Sequence, residues 1–282
     1  MATIPFTKMH GLGNDYVYLD CLRNPELIAD PARVAPRLSD RHTGIGGDGI
    51  VLILPDAAAD FRMRMFNADG SEAEMCGNAI RCVAKYVYDR GYTRRETLRI
   101  RTGHGILSLA LTGAGGVLKS ARVDMGEPIL NGPDIPVAVS RNPVTRAALT
   151  LGSGRRYEFT AVSMGNPHAV IFVDASTDEQ VLRDGPEIEV HPLFPQRINV
   201  EFVQVLSRRE VRLRVWERGA GETQACGTGA SAVGVAGALN GLTDRDLVVH
   251  LRGGDLRITW AENNHVFMDG PATFAFEGSV EI

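Results

Sequence analysis

The chain has 282 residues and a net charge of −4, with 44% hydrophobic and 23% charged residues, the balance of a globular protein of one large or two ordinary domains. No long basic run points to nucleic acid. No apolar stretch approaches the roughly 20 residues that cross a membrane, and Met1 to Met9 lacks a basic-then-apolar signal pattern, so a cytoplasmic location is the expectation.

In chain order, apolar alternation punctuated by Pro and Gly predicts strands at Ile4–Met9, Tyr16–Asp20, Ile50–Leu54, Leu98–Arg101, Ile106–Leu111 and Ala121–Asp124. A short helix is predicted from Pro31 to Leu38, with Asp30 as its N-cap. A longer one is predicted from Gly77 to Asp89, with the stripe Ile80, Val83, Ala84 and Val87, ended by Gly91. Gly126–Pro136, with three prolines and two glycines, reads as a linker. A second long helix is predicted from Gly227 to Leu239. It carries no charge, so it should be buried, and Gly229, Gly234 and Gly237 imply another element packed close to its backbone. Strands follow near Leu247–Leu251, Leu256–Trp260 and Val266–Met268. The last, Thr273–Ile282, is expected to return to the first domain.

The chain also repeats itself. Met63-Arg64-Met65-Phe66-Asn67, a Gly-containing turn, Glu72 and Cys76-Gly77 correspond to Leu213-Arg214-Val215-Trp216-Glu217, a second such turn, Glu222 and Cys226-Gly227, always 150 residues on. Gly13-Asn14-Asp15-Tyr16-Val17 resembles Gly165-Asn166-Pro167-His168-Ala169, and Asp48-Gly49-Ile50 resembles Asn199-Val200-Glu201. Such a period is too long for a solenoid and predicts two similar domains. They are drawn here as 1–125 plus 273–282, and 126–272. The fold class is therefore α+β: two pseudo-symmetric domains, each mostly strands with one central helix.

Of four cysteines, Cys21 and Cys82 read as packing residues, and no Cys/His spacing suggests a metal site. Cys76 and Cys226 each stand where a turn gives way to a helix. The partial positive charge and unpaired N–H groups of a helix start should lower a thiol's pKa. If the domains face each other, a flat carbanion between the thiols could lose a proton to one and gain one from the other, as racemases and epimerases require. The amides of Gly77, Asn78, Gly227 and Thr228 would cradle a carboxylate and stabilise the charge that builds. Lys85 and Lys119 read as solvated surface residues and not as Schiff-base lysines, and no cofactor is expected.

Asn67-Ala68-Asp69-Gly70-Ser71, then Cys76-Gly77-Asn78-Ala79-Ile80-Arg81, resembles the signature of the diaminopimelate epimerases. Met164-Gly165-Asn166-Pro167-His168, Asn199-Val200, Glu217-Arg218-Gly219 and Ala225-Cys226-Gly227-Thr228-Gly229 match the same family. The resemblance implies two domains, each a mainly antiparallel sheet curled around a central helix, and interconversion of LL- and meso-diaminopimelate in lysine and peptidoglycan precursor biosynthesis by a homodimer; the charge and hydropathy already leave nucleic acid and membrane out as expected partners. The resemblance also implies that Cys76 and Cys226 are catalytic, that His168 and Glu217 tune them, and that Asn14, Asn67, Asn166, Asn199, Glu217 and Arg218 bind substrate, Arg218 at the distal carboxylate. Gly49 stands where some members have Gln, so that side-chain contact is missing. Proline and hydroxyproline racemases share the two-cysteine logic but typically have His where this chain has Asn78. Phenazine-type isomerases lack the cysteine pair. A thiol redox protein or a binding protein on a duplicated scaffold are the readings from other classes.

Overall fold

The computed structural model describes residues 3–282, so Met1 and Ala2, part of the N-terminal stretch read above for a signal, lie outside the described residues. The chain divides into two compact units, Met1–Val123 with Gly270–Ile282, and Asp124–Asp269.

The first unit runs β1 (Thr3–Gly11), β2 (Asn14–Asp20), α1 (Pro31–Ser39), β3 (Gly49–Leu54), β4 (Phe61–Asn67), β5 (Glu72–Ala73), α2 (Gly77–Asp89), β6 (Thr97–Thr102), β7 (Gly105–Ala114) and β8 (Val117–Asp124). The second runs β9 (Ala147–Thr150), β10 (Arg156–Ser163), β11 (Pro167–Phe172), α3 (Gly185–Glu189), β12 (Asn199–Ser207), β13 (Glu210–Glu217), β14 (Gly221–Glu222), α4 (Gly227–Leu239), β15 (Asp246–Leu251), β16 (Gly254–Trp260) and β17 (Val266–Gly270). The chain then returns to the first unit as β18 (Thr273–Glu281), antiparallel to β1.

Each unit pairs its strands in the same way. β1–β2, β3–β4, β6–β7 and β7–β8 are antiparallel, while β2–β3 and β4–β6 are parallel. In the second unit β10–β11, β12–β13 and β15–β16 are antiparallel, while β11–β12 and β13–β15 are parallel. The registers refine the repeat. Tyr16 lies opposite Gly49 and His168 opposite Asn199, so Asn199 corresponds to Gly49 and not to Asp48 as the sequence comparison suggested. A Cβ at Gly49 would fall 2.1 Å from the Phe66 carbonyl oxygen, so this backbone leaves no room for a side chain there.

The helices form where the pattern predicts. Asp30 Oδ1 accepts the Arg33 N–H (3.2 Å) at the start of α1. Along α2, Ile80, Val83, Ala84 and Val87 are fully buried, and Gly91 at φ +79° terminates it. Helix α4 packs against β10, β11, β12, β15 and β16, and the close approach explains its glycines. A Cβ at Gly234 would lie 2.7 Å from Ile258 Cγ2, and one at Gly237 only 2.3 Å from Thr243 Oγ1.

Two expectations are corrected. Gly126–Pro136 is part of the second unit's fold and not a linker. Ile129 exchanges two backbone hydrogen bonds with Ser163 (2.9 and 3.0 Å), and Ile135 joins the core with Val137, Leu149 and Phe159. Buried Ile135 and the backbone pairing of Ile129 tie it to the fold despite its turn-forming residues. Lys85 is buried, donating to Asp89 Oδ2 (2.7 Å) and the Leu118 carbonyl (3.0 Å), because it follows the buried side of α2. Among the described residues no helix is long and apolar enough to cross a membrane.

Gly237→Ala should destabilise the protein by about 1–3 kcal/mol through overpacking. This loss should appear although alanine is intrinsically the better helix former by roughly 1 kcal/mol. Urea unfolding measures it, and a stabilised variant would mean that Thr243 yields without cost.

Candidate active site

In the first unit, Gly70 at φ +88° makes the turn after β4, and the Asp69 carboxylate holds it by accepting the Ser71 N–H (2.9 Å) and hydroxyl (2.6 Å). Arg64 clamps Glu72 with two bonds of 2.7 and 2.9 Å. The chain reaches Cys76 extended (φ −143°, ψ 120°), and α2 begins at Gly77. The first helical bond runs from Ile80 N–H to the Cys76 carbonyl (3.0 Å), so the Gly77, Asn78 and Ala79 amides precede the ladder, as at any helix start.

Cys76 is partly buried, and its thiol donates to Asn14 Oδ1 (3.4 Å), which also accepts from Asn78 Nδ2 (3.2 Å). Asn14 Nδ2 donates to Asp48 Oδ2 (2.7 Å), which fixes the amide's orientation. Asn67 Nδ2 donates to Ser71 Oγ (3.0 Å) at the turn. Arg81, fully buried beneath the helix start, donates to the Gly77 carbonyl (2.9 Å), Asn78 Oδ1 (2.8 Å) and the Pro271 carbonyl (3.2 Å). Burial, with Cys76 beside it, pushes the Tyr16 hydroxyl well above its ordinary pKa.

The second unit repeats this scaffold around different chemistry. Arg214 clamps Glu222 with bonds of 2.8 and 3.2 Å, Gly219 and Gly221 take φ +77° and +81°, and Cys226 is extended before α4. Its sulfur accepts the Gly229 N–H (3.4 Å) and lies 3.4 Å from the Thr228 hydroxyl. His168 Nδ1 meets Glu201 Oε1 at 2.7 Å and His168 Nε2 meets Asn166 Oδ1 at 2.9 Å. Glu217 accepts the Thr223 hydroxyl. Asn199 is buried and braces the site, donating to the Pro167 carbonyl (2.8 Å) and accepting the Arg218 N–H (3.0 Å). Arg218 is exposed, with one guanidinium bond to the Gln196 carbonyl (3.2 Å).

The electrostatics correct the expectation that both helix starts lower a thiol's pKa. Burial above all, and then the Glu217 and Glu201 carboxyls, push Cys226 well above the usual thiol range, outweighing the Thr228 and Gly229 contacts. Burial likewise raises Glu217 and Glu201. Cys226 is therefore held as a thiol at neutral pH. Cys21 and Cys82 are buried and each pushed up to about 11, chiefly by burial.

Thus the structure brings Asn14, Cys76, Gly77 and Asn78 together at one helix start, with Asn67 at the turn leading to it. It brings Asn166 and His168 together through a hydrogen bond, and sets Cys226, Gly227 and Thr228 at the other helix start. Sequence reasoning passed over Tyr16, Asp48, Arg81, Glu201 and Thr223. Asp48 stood in a matched segment. The correspondence of His168 with Tyr16 was the available signal for the tyrosine. Among the described residues no group of three or more His, Cys, Asp or Glu is placed to hold a metal ion.

Solved structures with this fold include a phenazine biosynthesis protein of the PhzF family from Bacillus anthracis (TM-score 0.69, 16% identity, all of both chains). They also include a hydroxyproline epimerase from Agrobacterium vitis (TM-score 0.67, 16% identity, 99% of this chain and 91% of that one). At such identities the likeness shows the fold alone. Residues 6–131 and 160–275 match the family described as diaminopimelate epimerase. The diaminopimelate epimerase of Acetivibrio thermocellus is 56% identical over 278 residues, 98% of each chain. This chain belongs to the diaminopimelate epimerase family.

Iodoacetamide at pH 7 should alkylate the half-buried Cys76 before Cys226, whose thiol is buried and held protonated. Peptide mass spectrometry over time reads both rates. Equal rates would show that the carboxyls beside Cys226 do not keep its proton in place.

Proposed function

We propose that Cys76 and Cys226 are the two bases with which this chain carries out its family's reaction, the interconversion of LL- and meso-diaminopimelate in lysine biosynthesis. The observation that carries the assignment is the placing of one Cys-Gly at the same point of each copy of the duplicated unit, extended before a helix start. One sulfur, as thiolate, takes the α-proton. The other, as thiol, delivers its proton to the opposite face, leaving the inverted centre and the two protonation states exchanged. Because Cys226 is held protonated, Cys76 is the base of the resting enzyme.

The helix-start amides of Gly77, Asn78, Gly227 and Thr228 hold the carboxylate next to the reacting carbon and stabilise the enolate-like charge. Asn14, Asn67, Asn166 and Asn199 bind or brace the substrate's polar groups, His168 and Glu217 set the protonation of the cysteines, and exposed Arg218 serves the distal carboxylate as a two-pronged donor. The product also feeds peptidoglycan precursors. The enzyme works in the cytoplasm as a homodimer, without nucleic acid or membrane. Asn78, at the place where proline and hydroxyproline racemases typically have His, supports diaminopimelate over a cyclic imino acid.

LL-diaminopimelate in deuterium oxide should gain α-deuterium as it inverts. Cys76→Ala and Cys226→Ala should each lose about 10²–10⁴-fold or more in rate, while Cys82→Ala stays near wild type. Full epimerisation by either of the first two variants would sink the two-base mechanism. In the pH–rate profile, a raised Cys226 pKa means that its proton is kept as pH rises, so kcat/KM should not fall on the alkaline side until above pH 9, the ordinary thiol value. An alkaline limb centred below that value would contradict the role of Cys226 as resting acid.

A further inference from the structure

We infer that Glu201 is a positioning residue that, through His168, sets the orientation in which Asn166 presents its amide to substrate. The inference rests on the assignment of His168 and Asn166 to the site proposed above. Glu201 and His168 are both fully buried on neighbouring parallel strands. The imidazole is gripped at both nitrogens, by Glu201 Oε1 at 2.7 Å and by Asn166 Oδ1 at 2.9 Å. An amide oxygen can only accept, so Nε2 carries a proton and donates it to Asn166. On the other side a single proton lies between Nδ1 and Oε1, and the bond is satisfied whichever atom holds it. The tautomer with its only proton on Nδ1 would turn a lone pair toward the Asn166 oxygen and is disfavoured. With Oδ1 taken by the ring, the Asn166 Nδ2 donors point away from His168 and remain for substrate.

Two further observations set Glu201 apart from an ordinary core residue. Its second oxygen, Oε2, is buried with no hydrogen-bond partner. An ionised carboxylate with one bare oxygen is costly to bury, so the Glu201–His168 pair is best satisfied as a net-neutral unit sharing its proton, consistent with burial raising the Glu201 carboxyl. The first unit shows that the fold does not require a carboxylate here. The registers Tyr18 opposite Val51 and Val170 opposite Glu201 make Val51 the counterpart of Glu201, and it is just as buried. Helix α4 leaves space for the carboxylate, since a Cβ at Gly229 would fall 2.9 Å from Glu201 Oε1. The other titratable groups facing Glu201 are Glu217 and Cys226.

The test compares Glu201→Gln with Glu201→Met, both close to glutamate in volume. The glutamine N–H can donate to Nδ1 and hold the ring as the shared proton does, whereas methionine cannot. Glu201→Gln should keep kcat/KM within about threefold of wild type, and Glu201→Met should lose about 10- to 100-fold, as misplacement of a binding group does. Melting temperature is followed in both, because a merely structural pair would lose stability and activity together. ¹⁵N NMR of His168 gives the readout that a structural role would not move: Nε2 protonated in wild type and Glu201→Gln, a mixture of tautomers in Glu201→Met. Wild-type activity in Glu201→Met, or an unchanged His168 tautomer in it, would overturn the proposal. Asn166→Ala separates the two levels: if it is fully active, the assignment of Asn166 to substrate fails, whatever the tautomer shows.

Discussion

An α-helix leaves its first amides without carbonyl partners, and in each unit the residue at that boundary is an extended cysteine. Much of the local structure serves to place that boundary. A strand ends, glycine in left-handed backbone turns the chain, and an arginine–glutamate clamp, Arg64–Glu72 or Arg214–Glu222, ties the returning segment to the strand it left. The helix can then start only at the Cys-Gly step. Its N–H groups and sulfur share one origin, so any group bound by the amides is bound within reach of the thiol.

The duplication has kept that scaffold and let the surroundings diverge. Cys76 lies against a neutral amide, Asn14, and a phenol, Tyr16. Cys226 is enclosed more fully and has carboxyls near it, one of them tied to a buried histidine. Position 168 shows the divergence most directly, being tyrosine in one copy and histidine in the other. Two geometrically equivalent sulfurs thereby stand in different surroundings, and those of Cys226 hold its proton, without any change of fold.

The helices and most strands were legible because their signals are periodic. The stripe Ile80, Val83, Ala84 and Val87 and the uncharged Gly227–Leu239 each leave a single reading. The cysteine pair was legible from the repeat, and the surrounding site from family motifs. What escaped were polar residues buried for reasons that only the tertiary fold supplies. Arg81 and Lys85 look like the solvated face of α2 until neighbouring segments close over them. Glu201 sits in an ordinary apolar strand, and its partner is 33 residues away. The one-residue error that matched Asn199 to Asp48 arose because a short sequence match cannot fix register, whereas a parallel ladder does. The supposed linker failed for a similar reason: Ile135 reads as an isolated apolar residue in sequence and is a core residue in the fold.

Under the two-base assignment proposed above, the enclosure of Cys226 bears on what happens between turnovers. A two-base enzyme releases product in a protonic form opposite to the one that bound substrate, and must return before it can repeat the same direction. Once Cys226 has given up its proton, it is a buried thiolate facing carboxyls, the less comfortable of the two forms. Under that assignment reprotonation is downhill and would reset the enzyme after every passage in that direction. In the opposite direction the enzyme must first reach the unfavourable form. The equilibrium between the stereoisomers is untouched by this, but the recovery of the empty enzyme is a directional step, set by the depth at which one sulfur is buried.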